Sequence, residues 1–287
     1  MSVACLFPGQ GSQSTGMGRA LFDRFPDWTG AADAILGYSI RDLCLEDREG
    51  KLGQTAFTQP ALFVVNAMTY RARQETGTPA PAFVAGHSLG EYNALLAADV
   101  FDFGTGLRLV QERGRLMGEV QGAGMSAVIG LEPAAIERVL AANPAGGALD
   151  VANFNSFDQT VIAGPKPDLA GIKPRLEEAG ARAVIPLNVS APFHSRYMRP
   201  VQMAFATFLA AFSLRPPSIP VVANLTATPY PADAIRETLA GQMASSVRWL
   251  DSMRYLLAQG VTEFEETGPG SVLTKLIPQI RKRATAP

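Results

Sequence analysis

The stretch Phe83-Val84-Ala85-Gly86-His87-Ser88-Leu89-Gly90-Glu91-Tyr92 constrains the fold more than any other part of the chain. An apolar run turns at Gly86-His87-Ser88-Leu89-Gly90 into a helical pattern (Glu91, Tyr92, Ala94, Leu95, Leu96), the strand, tight turn and helix of a nucleophile elbow. Small residues two places before and after the serine let the backbone turn sharply and expose the hydroxyl. The helix N-terminus behind it offers free N–H groups, and the Leu89 N–H is placed to donate to an oxyanion. The pattern also suits a strand-to-helix turn that merely holds a serine between glycines, and 27 glycines make chance matches common.

With 287 residues the chain has room for one large domain or two moderate ones. Short apolar runs alternate with amphipathic segments throughout, the pattern of an α/β fold with a largely parallel sheet. Strands are expected at Val3 to Phe7, Ala82 to Gly86 and Val221 to Asn224. Helices are expected at Ala61 to Arg73, Leu89 to Ala98, Gly106 to Glu119 and Val201 to Ala211. The middle differs: strand (Met125 to Leu131), helix (Pro133 to Ala142), strand pair (Asp150 to Phe154, Thr160 to Ala163), helix (Lys166 to Ala179) and strand (Arg182 to Asn188). That β-α-β-β-α-β order is ferredoxin-like. A small unit, 123–190, is therefore expected inside a larger α/β unit formed by 1–122 and 191–287. Gly122-Ala123-Gly124 and Ser190-Ala191-Pro192 look like its hinges, and the tail from Arg281 onward is expected to be solvated.

A serine nucleophile needs a base, and the chain has only two histidines. His87 adjoins Ser88, where the turn directs neighbouring side chains apart, so it is expected to buttress the elbow. His194, in Ala191-Pro192-Phe193-His194-Ser195, ends the last small-unit strand and precedes a helix, whose N-terminus keeps an imidazole neutral. A surface or capping histidine is the bland alternative. No acidic residue in a strand-end turn offers itself as a third triad member, so a backbone carbonyl is left to orient the ring.

A second glycine-rich turn, Phe7-Pro8-Gly9-Gln10-Gly11-Ser12-Gln13-Ser14, follows the first strand. Ser14 stands where a dinucleotide fingerprint needs its third glycine, which argues against that reading. Beside the elbow, its N–H groups, Gln10 foremost, would complete an oxyanion hole; a plain Pro-Gly turn is equally compatible. Arg113 is the most discriminating residue. On the Gly106 to Glu119 helix it shares the apolar stripe of Leu109, Val110, Leu116 and Met117, whereas Arg108 and Arg115 point elsewhere. A guanidinium there needs a carboxylate, either an internal Asp or Glu or one that belongs to a substrate.

Twenty-five Lys plus Arg balance 26 Asp plus Glu, which removes the electrostatic footprint of a nucleic-acid binder. Two cysteines, Cys5 and Cys44, provide neither a disulfide framework nor a cysteine-rich zinc site. With no basic leader and no run of about 20 apolar residues, a cytoplasmic protein without a membrane partner is expected.

Together these pieces resemble the malonyl-CoA:acyl-carrier-protein transacylase family, including free-standing acyltransferases that serve modular polyketide synthases. Phe7 to Gln13 resembles the family's N-terminal signature, Thr58-Gln59-Pro60-Ala61 its TQPA turn and Gly86 to Tyr92 its GHSLGEY elbow. Arg113-Gly114 resembles the pair that holds the malonyl carboxylate, Asn153 to Ser156 the NxNS turn and Gly268-Pro269-Gly270 the late GPG loop. The resemblance implies an α/β-hydrolase-like large subdomain with a parallel-sheet core and an inserted ferredoxin-like subdomain. It implies Ser88 as nucleophile, His194 as base, the Gln10 and Leu89 N–H groups as oxyanion hole and the Gln242 carbonyl in place of the triad acid. Arg113, Phe193, Met117, Asn155 and His87 would bind substrate, and Phe193 resembles the bulky residue of malonyl-selective members. Malonyl-CoA and a phosphopantetheinylated acyl carrier protein would be the substrates of a monomer that needs no metal or redox cofactor. Ser156-Phe157 departs from the commoner Ser-Pro. An acyl hydrolase acting on carrier proteins is the alternative, against which Arg113 argues. A basic rim for an acidic carrier protein is expected among Arg71, Arg73, Arg196, Arg199 and Arg281-Lys282-Arg283.

Overall fold

The computed structural model describes residues 2–189 and 191–284. Among the described residues eight strands run in chain order: β1 Val3–Phe7, β2 Phe83–Gly86, β3 Ala123–Ile129, β4 Asp150–Ser156, β5 Gln159–Pro165, β6 Ala183–Pro186, β7 Val221–Val222 and β8 Glu263–Glu266. They form two sheets. One is parallel, in the order β7-β2-β1-β8, and the other is antiparallel, in the order β4-β5-β3-β6.

Period-two alternation assigns each strand's residues to the faces of the parallel sheet. Cys5, Phe7, Val84 and Val221 pack into one core with Leu62, Phe63 and Tyr70. Ala4, Leu6, Ala85 and Val222 pack into a second, with Trp249, Met253 and Leu256. Burial on both faces explains why β1 and β2 read as continuous apolar runs. The Thr55–Glu75 helix crosses the first face and is buried almost all round, whereas the Trp249–Ala258 and Ile277–Ala284 helices cover the second. The antiparallel sheet carries a third core, in which Val128, Ile162 and Val184 meet Ile136, Leu140, Ile172 and Leu176 of its two helices. Its β-α-β-β-α-β order and its strand order are those of a ferredoxin-like layer.

Several expectations need correction. Only Gly122, at φ 86°, is loop at the first junction; Ala123 and Gly124 already pair with Pro165 and Gly164 in the sheet. At the second junction Ser190 lies outside the described residues, and Ala191 and Pro192 are buried, so this segment is packed rather than hinge-like. Thr58 to Ala61 is not a turn. It continues a helix that starts at Thr55, with Pro60 in its second turn. Asn153 to Ser156 is the bulged end of β4, where the pairing register shifts at Val151/Asn153 and Phe154/Ser156. The parallel sheet also has an edge strand, β8, that its Glu-Phe-Glu-Glu sequence concealed. Among the described residues no helix is long and apolar enough to cross a membrane.

The elbow needs its glycines for space. A Cβ at Gly90 would lie 2.0 Å from the Phe7 carbonyl oxygen, and one at Gly86 would lie 1.9 Å from the Gly90 carbonyl carbon. A Cβ at Gly147 meets nothing within 4 Å. Gly90→Ala is therefore expected to cost more than about 3 kcal/mol, against less than about 1 kcal/mol for Gly147→Ala. Denaturant unfolding measures both, and equal losses would contradict the packing account.

Candidate active site

The elbow brings Ser88 to the carboxyl edge of the parallel sheet, between β2 and the Gly90–Ala97 helix. Ser88 has φ 51°, a left-handed conformation that costs a non-glycine residue energy and must be held by its surroundings. Its N–H donates to Asn224 Oδ1 at 2.7 Å, and Asn224 Nδ2 donates to the Gly86 carbonyl at 2.7 Å. Gln242 Nε2 donates to the Ser88 carbonyl at 2.9 Å. The peptide groups on both sides of the turn are thus fixed by side chains from distant segments.

His194 is also in the left-handed region, at φ 58°, and its ring is buried. Nδ1 lies 2.9 Å from the Gln242 main-chain oxygen, and Nε2 lies 2.7 Å from Ser88 Oγ. A carbonyl only accepts, so Nδ1 carries the proton and Nε2 presents its lone pair to the Ser88 hydroxyl. Burial, reinforced by the Arg113 charge, pushes the imidazole down to about 3 and keeps it neutral. A serine hydroxyl donating to a neutral, oriented imidazole can release its proton as its oxygen attacks.

Arg113 is fully buried in the Phe103–Gly118 helix. Nη1 donates to Gln59 Oε1 at 2.8 Å, while Nη2 donates to Gln242 Oε1 at 2.9 Å and to Ser88 Oγ at 3.0 Å. The guanidinium lies over the Tyr92 ring, 5.4 Å from its centroid. Among the described residues no carboxylate lies within ion-pair distance of it, and Nε has no hydrogen-bond partner. Of the two carboxylates the sequence allowed, the internal one is therefore not in contact. Neutral amides hold a charge whose burial costs several kcal/mol unless it is compensated.

Ser88, His194, Gln10, Leu89, Arg113, Phe193, Met117 and His87 all line one small cavity of about 100 Å³, joined by Gln59, Met125 and Asn153. Gln10, His87, Asn153, Leu187 and Val189 also line an outer groove, which extends past Gln13, Asn155, Asn188 and Lys275. Asn155 lies in this groove, outside the cavity, where its Oδ1 is 2.8 Å from His87 Nε2. His87 thereby links the elbow to β4, and its ring packs against Trp249.

A family model described as an acyl transferase domain matches residues 5–284. The chain belongs to the acyl transferase domain family. Polyketide biosynthesis malonyl CoA-acyl carrier protein transacylase PksC of Bacillus subtilis is 49% identical over 285 residues, 99% of each chain. Polyketide biosynthesis protein ThaF of Burkholderia thailandensis is 52% identical over 96% of this chain but only 24% of its own length. The chain thus spans about a quarter of that relative. Among solved structures, the malonyl CoA-acyl carrier protein transacylase of Burkholderia pseudomallei has a TM-score of 0.95 at 48% identity, covering 100% of this chain and 99% of that one. PlMCAT:AntF, a type II PKS acyl-carrier protein in complex with its malonyl-transacylase, has a TM-score of 0.93 at 39% identity, with 98% and 94% covered.

In this acyl transferase the expected basic rim is reduced. Arg73 is buried and paired with Glu265 at 2.7 Å, with Nη1 donating to the Pro79 carbonyl, so it is a structural residue. Arg71 lies over Phe25 and Trp28 beside Glu75. Arg283 pairs with Glu132 at 2.6 Å and lies over Phe157. Arg196 and Arg199 share a groove with His194, although Arg196 is tied to Asp150. Gln59, Asn224 and Glu91 make contacts at the site that the sequence did not announce, although Gln59 and Glu91 lie within the TQPA and GHSLGEY motifs and Asn224 ends an expected strand. Glu91 did leave a signal, a charge within the apolar Tyr92-Ala94-Leu95 pattern, the same kind that singled out Arg113.

The depressed His194 gives a stability signature. Between about pH 3 and 6.5 the unfolded chain binds a proton that the folded acyl transferase refuses, so stability falls as pH falls. Wild type should lose about 2 kcal/mol more than His194→Gln between pH 7 and pH 5, because the other titrating groups are common to both. Urea unfolding at the two pH values measures this, and parallel losses would refute a neutral buried His194.

Proposed function

We propose that the chain transfers a malonyl group from malonyl-CoA to the phosphopantetheine thiol of an acyl carrier protein, through a malonyl ester on Ser88. The observation that carries this reading is Arg113, buried beside the Ser88 hydroxyl with amides but no carboxylate in contact. A bidentate guanidinium–carboxylate pair would compensate that charge and hold the acyl group by its far end. The transacylase names of PksC and of the Burkholderia pseudomallei structure support the substrate pair, and the polyketide name of PksC supports polyketide synthesis as the setting.

In the first half-reaction Ser88 Oγ attacks the thioester carbonyl of malonyl-CoA and its proton passes to His194 Nε2. The Gln242 carbonyl steadies the resulting imidazolium through Nδ1–H. The oxyanion is held by the backbone N–H groups of Gln10 and Leu89, the second at the start of the Gly90–Ala97 helix. Collapse breaks the C–S bond, and the departing CoA thiolate takes the proton from His194. In the second half-reaction the carrier protein's pantetheine thiol gives its proton to His194 and attacks the malonyl-serine ester. Ser88 leaves with that proton restored. Arg113 fixes the ester so that the thiol attacks in preference to water. The outer groove, rich in Gln and Asn, suits the neutral amides of a pantetheine arm, and Met117 and Phe193 bound the acyl end. An acyl hydrolase would have no use for a carboxylate-binding arginine at the nucleophile.

Incubation with malonyl-CoA should add one malonyl group to the chain by intact-mass measurement, and Ser88→Ala should abolish the adduct. Persistence of the adduct would remove Ser88 from the mechanism. Arg113→Ala should slow malonylation at least about 100-fold while slowing acetylation from acetyl-CoA by less than about 10-fold. Equal losses would show that Arg113 does not read the acyl carboxylate.

A further inference from the structure

Glu91 is the one buried carboxylate among the described residues. It sits three residues after Ser88, in the first turn of the Gly90–Ala97 helix, away from the cavity lining. The acyl-transfer steps make no use of it. Its burial nevertheless calls for partners, since an isolated carboxylate at zero exposure is strongly disfavoured. Oε2 accepts the Asn224 backbone N–H at 2.8 Å, and Oε1 accepts the Tyr230 hydroxyl. Desolvation pushes the carboxyl up to about 7, while Tyr230, the Asn224 N–H, the Gln242 side chain and the Arg113 charge pull it back.

Asn224 is the connection to the reacting atom. It follows β7, is fully buried, and its side-chain amide spans the elbow: Oδ1 takes the Ser88 N–H and Nδ2 gives to the Gly86 carbonyl, both at 2.7 Å. Those two peptide groups flank His87 and fix the chain entering Ser88, which holds the left-handed φ of 51°, while Gln242 holds the carbonyl on its far side. An amide that swung away would release the strain by letting Ser88 relax, and Oγ would leave the line between His194 and the cavity. The backbone beside Asn224 is the part of the clamp that Glu91 fixes. The path runs from Tyr230 to Glu91, from Glu91 to Asn224 and from Asn224 to Ser88.

We propose that Glu91 is a positioning residue that acts through Asn224, the two together holding Ser88 in its reactive conformation. This rests on Ser88 being the nucleophile of the proposed reaction. It goes beyond that reading by assigning the strained turn's support to a carboxylate that touches neither substrate nor base. The direct bond from Glu91 toward the elbow runs to the Asn224 N–H, so a group acting chiefly through Asn224 adds little once Asn224 is truncated, and the two substitutions must be strongly non-additive.

The test measures the second-order rate at which a small alkyl fluorophosphonate labels Ser88 in the full chain, normalised to the sites that finally label, so that any misfolded fraction drops out. Malonylation by malonyl-CoA is followed in parallel. Asn224→Ala should slow both by about 30-fold or more, and Glu91→Ala by about 10-fold or more. The double variant should lie within about threefold of Asn224→Ala, and Glu91→Gln, which keeps an acceptor for the Asn224 N–H, within about threefold of wild type. If Glu91→Ala labels at the wild-type rate, or if the losses multiply, the proposal is overturned. Should Glu91→Ala fail to fold, Tyr230→Phe frees one Glu91 oxygen. It should slow labelling about threefold on the wild-type background and leave Asn224→Ala unchanged; a multiplicative effect would overturn the proposal. The probe asks only for a positioned serine. A chain that takes fluorophosphonate on Ser88 but no malonyl would overturn the malonyl reading while still testing Glu91, and a wild-type Ser88 inert to both would overturn the two together.

Discussion

A buried positive charge sets the terms for everything around it. Arg113 is fully buried and held by Gln59, Gln242 and the Ser88 hydroxyl, with its Nε unpaired among the described residues. Amides can orient a guanidinium but cannot neutralise it, so the site carries an electrostatic deficit that an anionic acyl group would fill. The same charge lies within hydrogen-bond reach of the oxygen that His194 contacts at 2.7 Å, and it joins burial in keeping that imidazole neutral. The guanidinium and the neutral imidazole therefore meet at one oxygen atom. Gln242 serves both, orienting Arg113 through its side chain and His194 through its carbonyl.

The second constraint is backbone strain. Ser88 and His194 both lie at positive φ, and each sits in a segment that its surroundings over-determine. Gly86 and Gly90 give the elbow room to pass within contact of Phe7, and Asn224 and Gln242 clamp its peptides. The antiparallel layer closes the cavity from above through Met125 and Asn153 and reaches the elbow through the His87–Asn155 bond. The two sheets are thus joined at the reactive turn, and the packed, buried Ala191-Pro192 segment delivers His194 across that seam.

Local structure was legible in the sequence. β1 falls on Val3–Phe7 as its apolar run indicates, the Pro133–Ala142 helix begins at its proline, and the elbow follows from glycine spacing and context. Arg113 stood out because a charge on an apolar stripe demands a reason. Features that depend on distant pairing were not legible. β8 is an edge strand whose glutamates are exposed (Glu263) or half-buried (Glu265 and Glu266), so it lacked an apolar pattern. Thr58 to Ala61 was expected as a turn only through the family resemblance, yet Thr55 begins the helix upstream. Arg73 looked like a surface charge until Glu265, 192 residues away, proved to be its partner. The clamp of Asn224, Glu91 and Tyr230 is assembled across more than 130 residues, and no spacing rule announces it.

The proposed function requires the buried Arg113 charge to be reserved for the far carboxylate of an acyl group. Exposing the wild-type chain to equimolar malonyl-CoA and acetyl-CoA, and reading the adduct on Ser88 by mass after one acylation, tests it most directly. Malonyl-serine is expected in at least about 50-fold excess, the discrimination of a charge-assisted pair worth more than about 2 kcal/mol. Comparable amounts of the two esters would contradict it.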